Sequence, residues 1–242
     1  MSDPELSVVI PAYNEAALIR QTVTAIEQYL AGLGTHHEIL VVDDGSTDGT
    51  REAIRELAAR PGSSVRLLEG GHRGKGGAVK QGMLEARGAH ALFMDADHST
   101  NINEWANCAP WLRDGYDVVI GTRKTAGAQV RVHQPPLREA MGRVFTWLTN
   151  VLLTGRVSDI TCGFKCFQRE AARRIFSRQR IDGWGFDAEI LFIARRKGCR
   201  IKEVPVVWAD NRATKVRLLR DAVNSFLELL QIRLGALRGW YE

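Results

Sequence analysis

Five short apolar runs, each followed by a polar or glycine-bearing turn, constrain this chain more than any other feature of it. They occupy residues 6–10, 38–42, 65–68, 91–94 and 116–120. Runs of this length suit buried strands. Between them Ile19, Val23, Ile26 and Leu30, then Ala53, Ile54 and Leu57, then Val79, Met83 and Leu84, recur at the three- and four-residue steps of a helix face. Asn14 is the expected N-cap of the first of these helices. Strand and helix alternating through short links predict an α/β fold, a mostly parallel twisted sheet with helices on both faces. Ligands of such sheets bind at the carboxyl ends of the strands. Tyr13 to Glu15, Asp43 and Asp44, residues 70–77, and Asp95 with Asp97 all follow strand ends directly, so a parallel arrangement brings four polar turns to one edge.

The pair Asp95 and Asp97 stands one residue apart after the fourth run. Two anions that close repel, and they persist if exposed, if one is protonated, or if a divalent cation lies between them. An acidic turn is the ordinary explanation of such a pair, and the convergence of the other turns on the same edge argues for more. The glycine-rich residues 70–77 miss the P-loop spacing, with Glu69 at the first glycine position and Gly76 where Ser or Thr would bind magnesium. No Gly-x-Gly-x-x-Gly follows the first strand, which disfavours a dinucleotide fold. Arg73 and Lys75 ahead of a helix N-terminus suit a phosphate, against the plainer reading of a flexible loop.

The 242 residues, 45% hydrophobic and 25% charged, can bury one large core. Residues 1–121 carry 10 Lys+Arg against 17 Asp+Glu, and residues 122–242 carry 23 against 11. An acidic half joined to a basic half fits a cation site in one and an anionic partner, phosphate or membrane surface, at the other. No helix-turn-helix, zinc-finger or aromatic RNA-binding signature accompanies the basic half, so no nucleic acid is expected. The first residues are acidic and lack a leader pattern, and no apolar run approaches the roughly 20 residues of a membrane span. The four cysteines form neither a disulfide framework nor a zinc pattern, which fits reduced thiols in a cytoplasm.

In the second half, residues 124–136 read as a mobile loop and a candidate lid. Residues 137–153 read as an amphipathic helix packed on the core or touching lipid. A helix begins at Arg169, another follows residues 182–189, and residues 200–208 read as one strand. Asp159 and Asp187 are turn aspartates whose ordinary role is helix capping. Residues 212–238 predict a long basic helix with Leu219, Val223, Phe226 and Leu230 on its apolar face. Docking on the core competes there with a place at a membrane interface, Trp240 and Tyr241 lying beyond. The expected division is a catalytic domain over 1–210, with a nucleotide and metal half to about 121 and an acceptor half after it, then a C-terminal amphipathic element over 211–242.

Residues 8–15 (VVIPAYNE), 41–48 (VVDDGSTD), 74–76 (GKG), 93–97 (FMDAD), 121–123 (GTR), 159–165 (DITCGFK) and 184–189 (WGFDAE), taken in this order, resemble the inverting family-two glycosyltransferases of the GT-A fold. Within them the likeness is to the dolichyl- or polyprenyl-phosphate hexosyltransferases. The resemblance implies that Pro11, Tyr13, Glu15 and Asp43 hold the nucleoside, with Asp43 accepting from the base. It implies Mg2+ or Mn2+ on Asp95 and Asp97, with Lys75 and Lys215 near the diphosphate and Arg123 and Arg138 at the acceptor phosphate. Related enzymes often place Gln two residues after the second aspartate, where this chain has Ser99. Asp159 and Asp187 are expected as orienting groups near the acceptor, in a catalytic set with Asp97 and Arg123. The implied donor is UDP-glucose or GDP-mannose. The implied place is the cytoplasmic face of a membrane, reached peripherally or through a membrane partner protein. A polysaccharide or protein hydroxyl is the alternative acceptor, and a sugar nucleotidyltransferase or a phospho-receiver-like regulator are more distant alternatives.

Overall fold

The computed structural model describes residues 3–211 and 218–242. Lys215 and the start of the expected C-terminal helix lie outside the described residues. In chain order the first half runs β1 (Leu6–Ala12), α1 (Ile19–Gly32), β2 (His37–Asp43), α2 (Thr50–Ala58), β3 (Val65–Glu69), α3 (Lys75–Glu85), β4 (His90–Met94), α4 (Trp105–Arg113) and β5 (Val118–Thr122). The second half adds β6 (Gln129–Val132), α5 (Pro136–Thr149), β7 (Phe164–Gln168), α6 (Arg169–Phe176), α7 (Phe186–Arg196), β8 (Ile201–Pro205), β9 (Val207–Ala209) and α8 (Leu218–Leu237).

Seven strands form one sheet in the order β3-β2-β1-β4-β7-β5-β8. The five expected strands are present, and β1 pairs in parallel with both β2 and β4. Alternate residues of the continuous apolar runs face opposite layers. Val9, Leu40, Phe93 and Val118 join the layer of α3, α6 and α7, while Val8, Ile39, Leu92 and Val119 join that of α1, α2 and α4. Burial on both faces is why these strands are apolar throughout rather than every second residue.

The second half departs from the sequence expectation in three places. β7 lies antiparallel between β4 and β5, so a strand from the basic half sits inside the sheet of the acidic half. Residues 124–136 are not structureless, because β6 within them pairs in parallel with β9. The strand expected over 200–208 is interrupted at Val206, whose N–H donates to the Thr122 carbonyl and whose own carbonyl accepts from Gln129. β8 therefore stays in the main sheet while β9 leaves it.

Asn14 does not cap α1, which begins at Ile19 after Leu18. Its backbone takes φ 54°, and its side-chain oxygen instead accepts from the Thr47 N–H at 2.8 Å. That bond, with Ser46 Oγ accepting from the Asn14 N–H at 2.9 Å, staples the turn after β1 to the turn after β2. No described helix is long and apolar enough to cross a membrane.

Candidate active site

Parallel strands deliver the turns after β1, β2, β3, β4 and β5 to one edge, and the reversed direction of β7 brings its leading residues Cys162 and Gly163 there as well. A cleft of about 710 Å3 opens on this edge. Lys75, Asp95, Asp97, Arg123, Arg138 and Asp187 all line it, so six of the expected site residues converge on one cavity.

Asp95 is fixed from below, its N–H donating to the Gly163 carbonyl at 3.2 Å. A side chain at Gly163 would meet the Asp95 carboxylate, which explains a glycine at that position. Lys75, the first residue of α3, places its ammonium 2.6 Å from Asp95 Oδ1. Burial works against the Lys75 charge, but the carboxylates of Asp95, Asp187 and Asp97 outweigh it and hold the ammonium above its ordinary range. Asp97 accepts from the Ser99 N–H at 2.9 Å, and Asn211 donates to the Asp97 carbonyl at 3.2 Å. Burial, and then the charge of Asp95, push the Asp97 carboxyl up.

These two carboxylates suit a divalent cation. Among the described residues no group of three His, Cys, Asp or Glu side chains is assembled to hold a metal. Mg2+ and its like are commonly held by one or two carboxylates together with substrate phosphates. Burial first, and then the Asp95 charge, disfavour the Asp97 carboxylate, and a bound cation offsets both.

Arg123 and Asp159 form a locked pair. The guanidinium donates from Nε to Oδ2 and from Nη2 to Oδ1, each at 2.7 Å, and the Arg123 N–H adds a third bond at 3.0 Å. Burial alone raises a carboxyl, yet the bidentate arginine holds that of Asp159 down at about 2. The Arg123 guanidinium also lies 5.0 Å from the Trp208 ring. Asp159 is therefore neither a helix cap nor an exposed base. Arg138, on α5, is held more loosely, 3.7 Å from Asp210. Asp187 is not a cap either: α7 starts after Gly185 with no side-chain cap, and the Asp187 carboxylate turns to Lys165.

On the β1–β2 side, Pro11 lies within β1 opposite Val42. Tyr13, partly exposed, faces His72 with ring centroids 4.9 Å apart. Glu15 is anchored by its N–H to Thr50 Oγ1 at 2.7 Å. Asp43 is fully buried, and its Oδ2 accepts from Arg51 at 2.7 Å and 3.0 Å, so this carboxylate already has a cationic partner.

The glycine loop has a packing reason that spacing did not reveal. Gly74, at φ 107°, has the Asp182 carbonyl where a Cβ would stand, and a Cβ at Gly76 would strike Phe186. The start of α3 thereby closes against residues 181–186. Asp44, which earned no role of its own from the sequence, accepts from the N–H groups of Arg73 and Gly74, both at 2.8 Å, and ties the loop to the turn after β2. His72, Asp44 and Lys165 are the residues sequence reasoning passed over. Asp44 and Lys165 sat inside quoted motifs, while His72 gave no signal until the rings met.

Apolar residues form the mouth of the cleft. Met141, Val144, Phe145 and Leu148 on α5 face Val223 and Phe226 on α8 across it. Beyond the mouth, Leu137, Trp147 and Val151 on the α5 side and Leu227, Leu234 and Leu237 on α8 stay exposed, each by more than half.

A GT-A architecture with an acidic, lysine-bearing cleft at the strand ends is that of a nucleotide-sugar enzyme, and family membership narrows the class to a glycosyltransferase. The profile of glycosyl transferase family 2 matches residues 7–176, and the chain belongs to that family. Curated relatives include dolichyl-phosphate beta-glucosyltransferases from Dictyostelium discoideum, 32% identical over 98% of this chain and 76% of that protein, and from Saccharomyces cerevisiae, 33% identical over the same shares. The Drosophila melanogaster protein of that name is 34% identical over 88% of this chain and 69% of its own length. Among solved structures, a glucosyl-3-phosphoglycerate synthase from Mycobacterium tuberculosis, in complex with Mn2+, UDP-glucose and phosphoglyceric acid, superposes with a TM-score of 0.71. It is 22% identical and matches over 95% of this chain and 80% of its own, a likeness of fold.

Proposed function

We propose that this glycosyltransferase transfers glucose, with inversion, from UDP-glucose to a dolichyl or other polyprenyl phosphate, using Mg2+ or Mn2+ held by Asp95 and Asp97. The observation that carries this reading is the two-ended cleft, with its acidic pair and Lys75 at the floor and the apolar walls of α5 and α8 at the mouth. A sugar diphosphate suits the floor, and a lipid tail suits the mouth. Arg138, on α5 at the cleft wall, is placed to meet the phosphate that joins them. The relatives' names favour glucose over mannose and a dolichyl phosphate as acceptor.

Displacing a nucleoside diphosphate builds negative charge on the leaving group and oxocarbenium character on the sugar. A bound divalent cation supplies neutralisation of the first charge. Lys75 adds a fixed positive group on the same side, and in the proposed complex its ammonium exchanges part of its contact with Asp95 for a diphosphate oxygen. Tyr13, its ring packed against His72, is proposed to offer an aromatic face for the base. Asp43, whose Oδ2 is held by Arg51, braces the turn after β2 and is proposed to face the nucleoside as well. Lys215 is proposed as a further diphosphate contact. The exposed apolar faces of α5 and α8 are proposed to rest on the cytoplasmic face of a membrane, where anionic headgroups meet the basic second half.

A hydroxyl acceptor requires a base, and the two carboxylates expected near the acceptor, Asp159 and Asp187, are both paired with cations. Asp159, held at about 2 by Arg123, is a poor proton acceptor. A phosphate monoester is already anionic at pH 7 and needs positioning more than deprotonation. Incubating the purified protein with UDP-glucose or GDP-mannose, a short polyprenyl phosphate and Mn2+ is the direct test. The expected product is the glucosyl phospholipid, lost on chelation. Transfer to a hydroxyl acceptor alone, or from GDP-mannose alone, overturns the reading.

A further inference from the structure

Lys165 lies in the middle of β7 with its side chain wholly buried. A lysine this deep is rare and is tolerated only when paired and hydrogen-bonded. Its ammonium donates to Asp187 Oδ1 at 2.5 Å and to the Cys162 carbonyl at 2.6 Å, and it sits 5.3 Å from the Phe93 ring. An apolar pair of similar volume stabilises a core as well as a buried ion pair does, so folding alone does not call for these two charges.

Asp187 lines the cleft while Lys165 lies behind it. With Oδ1 taken by Lys165, Oδ2 bonds to none of the described residues. The other charges acting on Asp187 come from Lys75 on α3 and from Asp95 after β4. Glu189, two residues along α7, is turned away toward the N–H groups of Arg180 and Ile181 and the hydroxyl of Tyr241. Burial raises the Asp187 carboxyl, and Lys165 and Lys75 pull it back toward the charged form. A carboxylate oxygen at the cleft floor repels a phosphate and accepts from a neutral hydroxyl. The sugar of the donor carries such hydroxyls, and the acceptor phosphate does not.

We propose that Lys165 is a positioning residue that fixes Asp187 so that its second carboxylate oxygen accepts a hydrogen bond from a hydroxyl of the donor sugar. This rests on the sugar-nucleotide reading above, and it moves Asp187 from the acceptor side to the donor side.

The test compares Kd for UDP and for UDP-glucose, each with Mn2+, in the wild type, Lys165→Met, Asp187→Asn and the double variant. The sugar's share of affinity is the ratio of the two constants. In both single variants that ratio is expected to fall about tenfold, the scale of a lost hydrogen bond to a charged group, while Kd for UDP stays within about twofold. The double variant is expected to match Asp187→Asn, because Lys165 acts through Asp187. An unchanged ratio in Lys165→Met, equal weakening of both ligands, or losses that add in the double variant each overturn the proposal. Lys165→Met leaves Asp187 unpaired in the interior. Should it fail to fold, Lys165→Gln, whose shorter neutral amide removes the charged partner of Asp187 without leaving an apolar surface against it, replaces it with the same expectations against the double variant Lys165→Gln/Asp187→Asn. A wild type that binds neither UDP nor UDP-glucose overturns the sugar-nucleotide reading itself. Normal wild-type binding with an unmoved ratio in the variants overturns the roles of Lys165 and Asp187 and leaves the sugar-nucleotide reading standing.

Discussion

The floor and the mouth of the cleft are built by opposite means. At the floor the polar groups are engaged: Asp95 by Lys75, Arg123 by the Asp159 behind it, Asp187 by Lys165. At the mouth, α5 and α8 leave leucine, valine and tryptophan side chains facing outward. The floor is preorganised, and its charges are worth more for being held in place away from bulk water. The mouth gains its stability from whatever covers it, because contiguous exposed apolar surface marks a partner or a membrane. Substitutions at the floor should therefore change chemistry or folding, and substitutions at the mouth should change attachment.

The largest expected effect is at the floor. Asp97→Ala should reduce turnover by about two to three orders of magnitude, the scale seen when one preorganised charge-stabilising group is removed, with a melting temperature near that of the wild type. Retained turnover in a product assay would remove Asp97 from the metal site. Next, Asp159→Ala leaves Arg123 buried without its partner, at a cost of about 3–5 kcal/mol. That corresponds to a drop in Tm of roughly 6–20 °C for a chain of this size. Replacing both partners by apolar residues should recover most of the loss, and a double variant no more stable than the single would contradict the pairing argument.

The same pair predicts a pH dependence. Because the Asp159 carboxyl is held down at about 2 in the folded protein, its contribution is fully present above about pH 4, the usual carboxylate range, and fades as pH falls toward 2. Tm measured against pH should show this acid limb, and Asp159→Asn should flatten it. At the mouth, Trp147→Ser with Leu237→Ser should weaken binding to anionic vesicles about tenfold, from the apolar area withdrawn from lipid. Turnover on a short, water-soluble acceptor should change little. A matching loss of turnover there would erase the distinction between the two regions. The smallest effect belongs to His72→Ala, expected to raise KM for the nucleotide sugar a few-fold by removing the ring packed against Tyr13.

Much of the floor was legible in the sequence, because the first five strands are apolar runs that end in their functional turns. Asp95, Asp97 and Lys75 could be placed at one edge by topology alone. What escaped was long-range pairing. The 158–167 stretch gives no clean apolar run, since Lys165 interrupts it, and only a carboxylate on α7 makes that lysine acceptable inside a sheet. β6 is likewise too short and too polar to signal a strand, and β9, legible only as the end of the 200–208 run, leaves the main sheet because β6 is its neighbour. Asn14 carried a capping signal that was real chemistry aimed at a different target, the backbone of Thr47. The loop over 70–77 read as a phosphate site or a flexible loop, when close approach of Gly74 and Gly76 to residues 181–186 already requires glycine at both.

The antiparallel seat of β7 between β4 and β5 bears on how this polypeptide acquires its shape. During synthesis, the two earlier strands emerge well before the residue stretch that must slip between them, and until Gln168 leaves the ribosome they share no neighbour. A nascent chain halted before that point holds β3-β2-β1-β4 with a naked edge at β4 and β5 without a sheet partner, open to association with other chains. Completion of the catalytic platform is thus a late event, governed by a segment whose own sequence scarcely announces a strand.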